Sequence, residues 1–245
     1  MTPRAAGSVP IGRRRLVRTG LAGAAAVAAG AVSGPAAPSL TTGAAGAGAR
    51  RPDSPQSALR ALGAGNARWR TYHESHPDRT RTVRRTLVSG QHPFAVVLGC
   101  VDSRVPPELV FDQGLGDLLT VRSAGSVLDE AILASITFGV LELAIPLVVV
   151  LGHQSCGAVN AAVHSAQAGE RLPGHMQYLA DQIRPAIDRT LSGAARVDAA
   201  VTANVRLVRD RLAAEPDLAP RIAAGTLDVV AARYELTDQR VRRIL

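Results

Sequence analysis

Two cysteines, a histidine, an aspartate and an arginine stand out because each follows the end of an apolar run. In Val97-Leu98-Gly99-Cys100-Val101-Asp102-Ser103-Arg104 a thiol, a carboxylate and a guanidinium fall at alternate positions. About fifty residues downstream, Leu147-Val148-Val149-Val150-Leu151-Gly152-His153-Gln154-Ser155-Cys156-Gly157 repeats the design with an imidazole and a second thiol. Two thiolates and one imidazole suit zinc, which takes sulfur and nitrogen in tetrahedral geometry; three protein ligands leave a position open for chemistry, whereas a fourth would make the site structural. Asp102 could be that fourth ligand. A disulfide is the other reading of two cysteines in an exported protein. It would leave the common strand-end context of Cys100 and Cys156, and the nearness of His153, Asp102 and Arg104, without a purpose.

These side chains need a scaffold that brings them together. Phe94 to Leu98 and Leu147 to Leu151 are short, β-branched runs of the kind that form strands buried on both faces, each closed by a glycine. Polar groups at the carboxyl ends of strands line the ligand crevice of an open α/β sheet. If the two strands are parallel neighbours, Cys100, His153 and Cys156 converge on one point. Leu118 to Arg122 is a further strand. Asp129 to Leu143, with Ile132, Ile136, Val140 and Leu143 at helical spacing, is a crossover helix, and strand-helix-strand implies a parallel pair. The expected class is α/β, a central, mainly parallel sheet flanked by helices. Ala158 to Ala168 is helical, and its N-terminal dipole favours a thiolate at Cys156. Ser123 to Ser126 carries the small residues Ala124 and Gly125, which let a loop pass beside a metal; Arg122 reads as a structural cation rather than a site residue.

Elsewhere the sequence is plainer. Ser54 and Pro55 start a helix whose Leu59, Leu62, Asn66, Trp69 and Tyr72 share a face; that face covers its own chain or, as the family resemblance given below implies, a neighbouring subunit. Pro106 and Pro107 open a short helix through Phe111. Helical stretches follow at 176–191, which Pro185 kinks or ends, and at 195–214. Leu227 to Glu235 reads as the final strand, with 240–245 a weakly ordered tail. The run from Arg79 to Arg85 is expected to be a solvated loop. His73, His76, His164 and His175 have no partner at metal spacing.

The 245 residues carry a net charge of +8, which would suggest a nucleic-acid partner until the charge is located. Seven arginines and no acid lie in residues 1–52, leaving 21 basic and 20 acidic residues in the rest. That balance gives no support to nucleic-acid binding. Residues 1–50 read as an export leader and 51–245 as a single domain. Gly12-Arg13-Arg14-Arg15-Leu16-Val17-Arg18 resembles a twin-arginine signal, and the soft apolar run from Thr19 to Val32 is too short to be a stable membrane anchor. Small-residue cleavage sites such as Ala45-Gly46-Ala47 follow it.

The pairing of Cys100-x-Asp102-x-Arg104 with His153-x-x-Cys156 resembles the β-class carbonic anhydrases, a likeness running from about Pro93 to Ala162. The resemblance implies Zn2+ held by Cys100, His153 and Cys156, with Asp102 and Arg104 as a catalytic dyad in which Arg104 keeps Asp102 off the metal. It also implies reversible hydration of carbon dioxide to bicarbonate, in a homodimer or a tetramer built from dimers. Relatives on the same scaffold hydrolyse carbonyl sulfide or carbon disulfide, and a non-catalytic zinc-binding protein is the remaining reading. Two departures matter. Ser123 follows Arg122 where many members have asparagine, which puts one site-lining hydrogen bond in question. Val97 stands where allosteric members carry tryptophan, which argues against their regulatory bicarbonate site.

Overall fold

The computed structural model describes residues 51–244. The stretch expected as an export leader, with its twin-arginine pattern, lies outside the described residues. Helix α1 (Pro55–Arg70) begins as its sequence predicts. The Ser54 hydroxyl accepts from the Ser57 N–H at 3.3 Å, while the Ser54 N–H donates to the Ser57 hydroxyl at 3.0 Å, a reciprocal cap with Pro55 in the first turn. The arginine-rich stretch expected as a loop instead forms a short helix, α2 (Arg81–Thr86), because the Thr80 hydroxyl accepts from the Val83 N–H and caps it. It buries no residue.

Strand β1 (Ala95–Gly99) is followed by α3 (Pro107–Val110), β2 (Leu118–Arg122) and α4 (Glu130–Leu141), the last capped by the Asp129 side chain. Strand β3 (Leu147–His153) leads into α5 (Gly157–Ala168) and then α6 (Met176–Ile183), which stops where Pro185 forces a tighter turn. The chain ends with α7 (Gly193–Ala213), α8 (Ala219–Ala223), β4 (Asp228–Tyr234) and β5 (Val241–Ile244). The strands form one sheet in the order β2-β1-β3-β4-β5, parallel except for β5. The fold class is as expected. The tail is not: 241–244 pairs antiparallel with β4, and the Val241 N–H donates to the Asn66 side chain at 2.9 Å. A partner contributed from residue 66 is what orders it.

Alternation along β1 divides the core. Val96 and Leu98 pack with Ile136 and Val140 of α4 and Val205, Val208 and Leu212 of α7; Ala95 and Val97 pack on the other face with Ala58 and Leu62 of α1 and Val110 of α3. Burying a branched aliphatic side chain contributes about 1.5–3 kcal/mol, so a strand buried along its whole length, as β1 and β3 are, is a rigid platform. Helix α1 covers its own chain. The Trp69 indole N–H donates to the Tyr234 hydroxyl at 3.0 Å, and the Asn66 amide donates to the carbonyls of Val110 and Gln239. The amide that interrupts the apolar stripe is therefore a tie between α1, α3 and the approach to β5. Tyr72, past the helix end, is exposed.

Candidate metal centre

Strand order places the site. From β1 the chain moves to β2 on one side, and then α4 carries it back across to β3 on the other, so the carboxyl ends of β1 and β3 flank the point where the winding reverses. Crevices open at such points in α/β sheets. Gly99 pairs with Leu151, so Cys100 leaves β1 beside Gly152, and His153 ends β3. A side chain at Gly152 would not fit, because its Cβ would lie 2.3 Å from Val205 Cγ2 of α7. After His153 the backbone turns sharply, with Ser155 at φ 55°, and delivers Cys156 to the N-terminus of α5.

The three ligand atoms of Cys100, His153 and Cys156 lie within 4.8 Å of one another, and all three residues are buried. The sulfurs are 3.9 Å apart and both cysteines are free, which disposes of the disulfide. A tetrahedral zinc with sulfur ligands at ~2.3 Å would hold them ~3.8 Å apart. His153 supplies a second test. Its Nδ1 lies 2.9 Å from the Gln154 carbonyl, which can only accept, so Nδ1 carries the proton and Nε2 presents a lone pair. That Nε2 is buried with no hydrogen-bond partner among the described residues. The donor set therefore fits a divalent, sulfur-tolerant cation.

The electrostatics agree. The Cys156 thiol, hydrogen-bonded to Cys100, brings the Cys100 thiol down to about 4 against the opposing effect of burial, with help from His153 and the Gly125 N–H. Cys156 is pushed up by that same hydrogen bond and by burial, although the Val159 and Ala158 N–H groups at the start of α5 pull it down. The helix terminus thus acts as expected but is outweighed by the hydrogen bond to Cys100 and by burial. Burial lowers His153, and the Cys100 sulfur, the Gln154 carbonyl and the Asp102 carboxylate together more than reverse this. A buried negative charge shared by two sulfurs and drawing protons to itself is a cation-seeking site.

Asp102 and Arg104 stand at the rim. Arg104 Nε donates to Asp102 Oδ1 at 2.9 Å and Nη2 to Oδ2 at 2.7 Å, and the Arg104 backbone N–H adds a third bond at 3.0 Å. This fork holds the Asp102 carboxyl down at about 2 despite partial burial. Asp102 Oδ2 is 3.8 Å from His153 Nε2, close enough to face a metal's open position yet engaged by Arg104. Val101 points to solvent.

Residues 95–241 match the family described as carbonic anhydrase. Carbonic anhydrase 2 of Mycobacterium tuberculosis is 41% identical over 189 residues, covering 76% of this chain and 91% of that protein. The chain belongs to the carbonic anhydrase family. The carbonic anhydrase of Mycolicibacterium smegmatis is likewise 41% identical, over 77% of this chain and 92% of that one. Among solved structures, the beta-carbonic anhydrase CcaA superposes with a TM-score of 0.61 at 27% identity, over 76% of this chain and 87% of that chain. This is the β class that the paired motifs resemble.

All five residues named from the carbonic anhydrase motifs meet at this one crevice. Of the histidines set aside, His164 binds the Asn160 carbonyl in its own helix and His76 faces Asp112. Arg122 is more than a generic cation: Nε donates to the Cys100 carbonyl at 2.8 Å and Nη2 to the Asp102 carbonyl at 2.7 Å, so it braces the loop that carries a ligand and the dyad. Ser123 donates from its hydroxyl to the Val127 carbonyl at 2.7 Å, closing the small loop of residues 123–127. Asn204 of α7 also reaches that loop, at the Gly125 carbonyl. Its signal was an amide in the otherwise apolar stripe Ala200, Val201, Val205, Val208.

Proposed function

We propose that this carbonic anhydrase uses zinc held by Cys100, His153 and Cys156 to hydrate carbon dioxide reversibly to bicarbonate and a proton. The observation that carries this is the buried Nε2 of His153, without a hydrogen-bond partner among the described residues and within 4.8 Å of two free thiols. Bound there, zinc supplies Lewis-acid chemistry that makes water a nucleophile near neutral pH. The residues of the chain supply the orientation. Asp102, ionised because Arg104 grips both oxygens, can only accept a hydrogen bond, and so directs a lone pair of the attacking oxygen toward the carbon. One C–O bond forms, one O–H bond breaks, and the proton passes to solvent. Arg104 also donates weakly to the Ser155 carbonyl at 3.4 Å, which ties the dyad to the turn carrying Cys156.

The test is metal analysis with stopped-flow CO2 hydration on one purified sample, with carbonyl sulfide and carbon disulfide run beside it. Stoichiometric zinc with CO2 turnover, both lost in Cys156→Ser, is the expected result. A protein without zinc, or one that turns over only the sulfur compounds, overturns the reading.

We also propose that residues 1–50 are a twin-arginine leader and 51–245 a single exported domain. The paired arginines ahead of a short apolar run support this; among the described residues no helix is long and apolar enough to cross a membrane. Lysine at positions 13, 14 and 15 should leave an unprocessed protein inside the cell, and unchanged export would refute the route. The assembly is a dimer or a tetramer built from dimers, supported by Phe138, Leu141 and Leu115, large apolar side chains left in solvent by a single copy. Sedimentation showing an active monomer would overturn it.

A further inference from the structure

Asn204 lies in the middle of α7 among Ala200, Val201, Val205 and Val208, and is only 2% exposed. Its Nδ2 donates to the Gly125 carbonyl at 2.8 Å, while its Oδ1 is buried and has no partner among the described residues. Leaving a buried amide oxygen unpaired costs about 1–3 kcal/mol. An aliphatic residue would suit that stripe better, so the carboxamide is accounted for by what it does at Gly125.

Gly125 hands the contact on. Its N–H donates to Cys100 Sγ at 3.3 Å. The bond from Asn204 and the bond to Cys100 flank a single Cα held at φ 69°, a left-handed conformation suited to glycine. A Cβ there would come within 2.9 Å of Ile183 Cδ1 and 3.3 Å of the Ala158 Cβ. With the carbonyl clamped on one side and α5 and α6 closing the other, the direction of the N–H is set from α7, 79 positions away in the chain.

We propose that Asn204 is a positioning residue for the metal centre: through Gly125 it aims an N–H at the Cys100 sulfur and so governs how much electron density that thiolate gives to a bound cation. A hydrogen bond to a thiolate stabilises the sulfur lone pairs, leaving the metal a stronger Lewis acid. Removing it raises those lone pairs in energy, which lowers the energy of the sulfur-to-metal charge transfer. The inference rests on the metal reading above, and the experiment separates the two.

Cobalt(II) is loaded into the full-length protein and into Asn204→Leu, with Asn204→Ala as the alternative should the leucine variant not fold. Val208→Ala, a cavity in the same helix away from the loop, is the control. In the Asn204 variant the sulfur-to-cobalt charge-transfer band is expected to move to lower energy, and zinc affinity in chelator competition to fall about tenfold because a loop unclamped at Gly125 holds the ligand sulfur less firmly in place; the control keeps both. A band and an affinity unchanged in the Asn204 variant overturn this inference alone. A wild-type protein that takes up no cobalt overturns the metal reading and the inference with it.

Discussion

Removing the Arg122 side chain should damage the metal centre without touching a ligand. Its guanidinium gives short bonds to the carbonyls of Cys100 and Asp102 and a longer one, 3.4 Å, to Val105. Hydrogen bonds to a charged group are worth about 1.5–3 kcal/mol each. Two lost together would cost about 3–6 kcal/mol if the site stayed dry, and Arg122 is only half-buried, so water replaces part of the loss and about 2–3 kcal/mol remains. Those carbonyls lie in the segment that carries one ligand and the dyad, so much of the loss should appear in metal binding. A drop of about 10–100-fold in zinc affinity, the usual effect of losing a group that orients a ligand, is about 1.4–2.8 kcal/mol and matches that remainder. Arg122→Lys keeps the charge but not the fork, and one ammonium cannot serve both carbonyls at the same angles; it should fall between. Chelator competition for zinc on wild type, Arg122→Ala and Arg122→Lys, with thermal unfolding of zinc-loaded and zinc-free protein alongside, reads all of this. Zinc affinity in Arg122→Ala within about twofold of wild type, well short of the usual loss, would show that the loop holds its shape unaided, and the reasoning would be wrong.

Asp102→Asn should keep its zinc and lose turnover by about 10²-fold or more in stopped-flow hydration, because an amide cannot replace an ionised, accept-only carboxylate; near-normal turnover would remove the dyad from the mechanism. Arg104→Ala should lose turnover too while unfolding at nearly the wild-type temperature, since its side chain is half-exposed and its fork is local. Gly152→Ala should destabilise the fold by about 1–3 kcal/mol in chemical denaturation, the usual cost of overpacking, because the new methyl meets Val205 of α7. Asp112 predicts a pH effect remote from the metal. Burial raises its carboxyl, but hydrogen bonds from Arg68 and from Ser75 and His76 outweigh this and hold it below its usual range. A depressed carboxyl stabilises the fold above the unfolded value of ~3.9 and stops doing so as pH falls through the folded one. Asp112→Asn should therefore cost about 2 kcal/mol near neutrality, below the range for breaking a fully buried pair because Arg68 is partly exposed, with the difference from wild type vanishing in acid.

What was legible in the sequence was what is local to a strand end. An apolar run closed by glycine and followed at once by Cys100, Asp102 and Arg104 carries its position with it, and the same holds for His153 and Cys156. That the strands run parallel was legible because a crossover helix joins Leu118–Arg122 to the strand after it; that β1 lies between those two strands, and so beside β3, stood only as a condition. Interactions that exist only after distant segments meet were not. The 241–244 segment is a strand because Asn66 and β4 accept it; alone, Val241-Arg242-Arg243-Ile244 is short and half charged. Arg122 looked like any strand-end arginine, since its acceptors are main-chain carbonyls 17–22 positions away, which no side-chain pattern reveals. Asn204 was visible only as a polar residue in an apolar stripe, with nothing to say which carbonyl it would meet.

The arrangement also divides rigidity from access. Neighbouring strands run ~4.8 Å apart, so two residues just beyond a paired register start close to the separation that two ligands of one small cation require. The sheet supplies that spacing at the ends of β1 and β3, where both strands are buried throughout. The third ligand needs a departure from regular backbone, and Ser155 at φ 55° is where it occurs. Asp102 and Arg104 do not share that burial, as their proposed role with substrate and a departing proton requires; the Arg104 side chain is 53% exposed and that of Asp102 16%. They ride on a loop rather than on the sheet. Arg122, itself the last residue of β2, returns part of the sheet's rigidity to that loop by gripping its carbonyls. In the proposed reading the buried donors would thus hold a cation through the platform, and the more exposed Asp102–Arg104 pair would hold its aim through one guanidinium reaching out from that same platform.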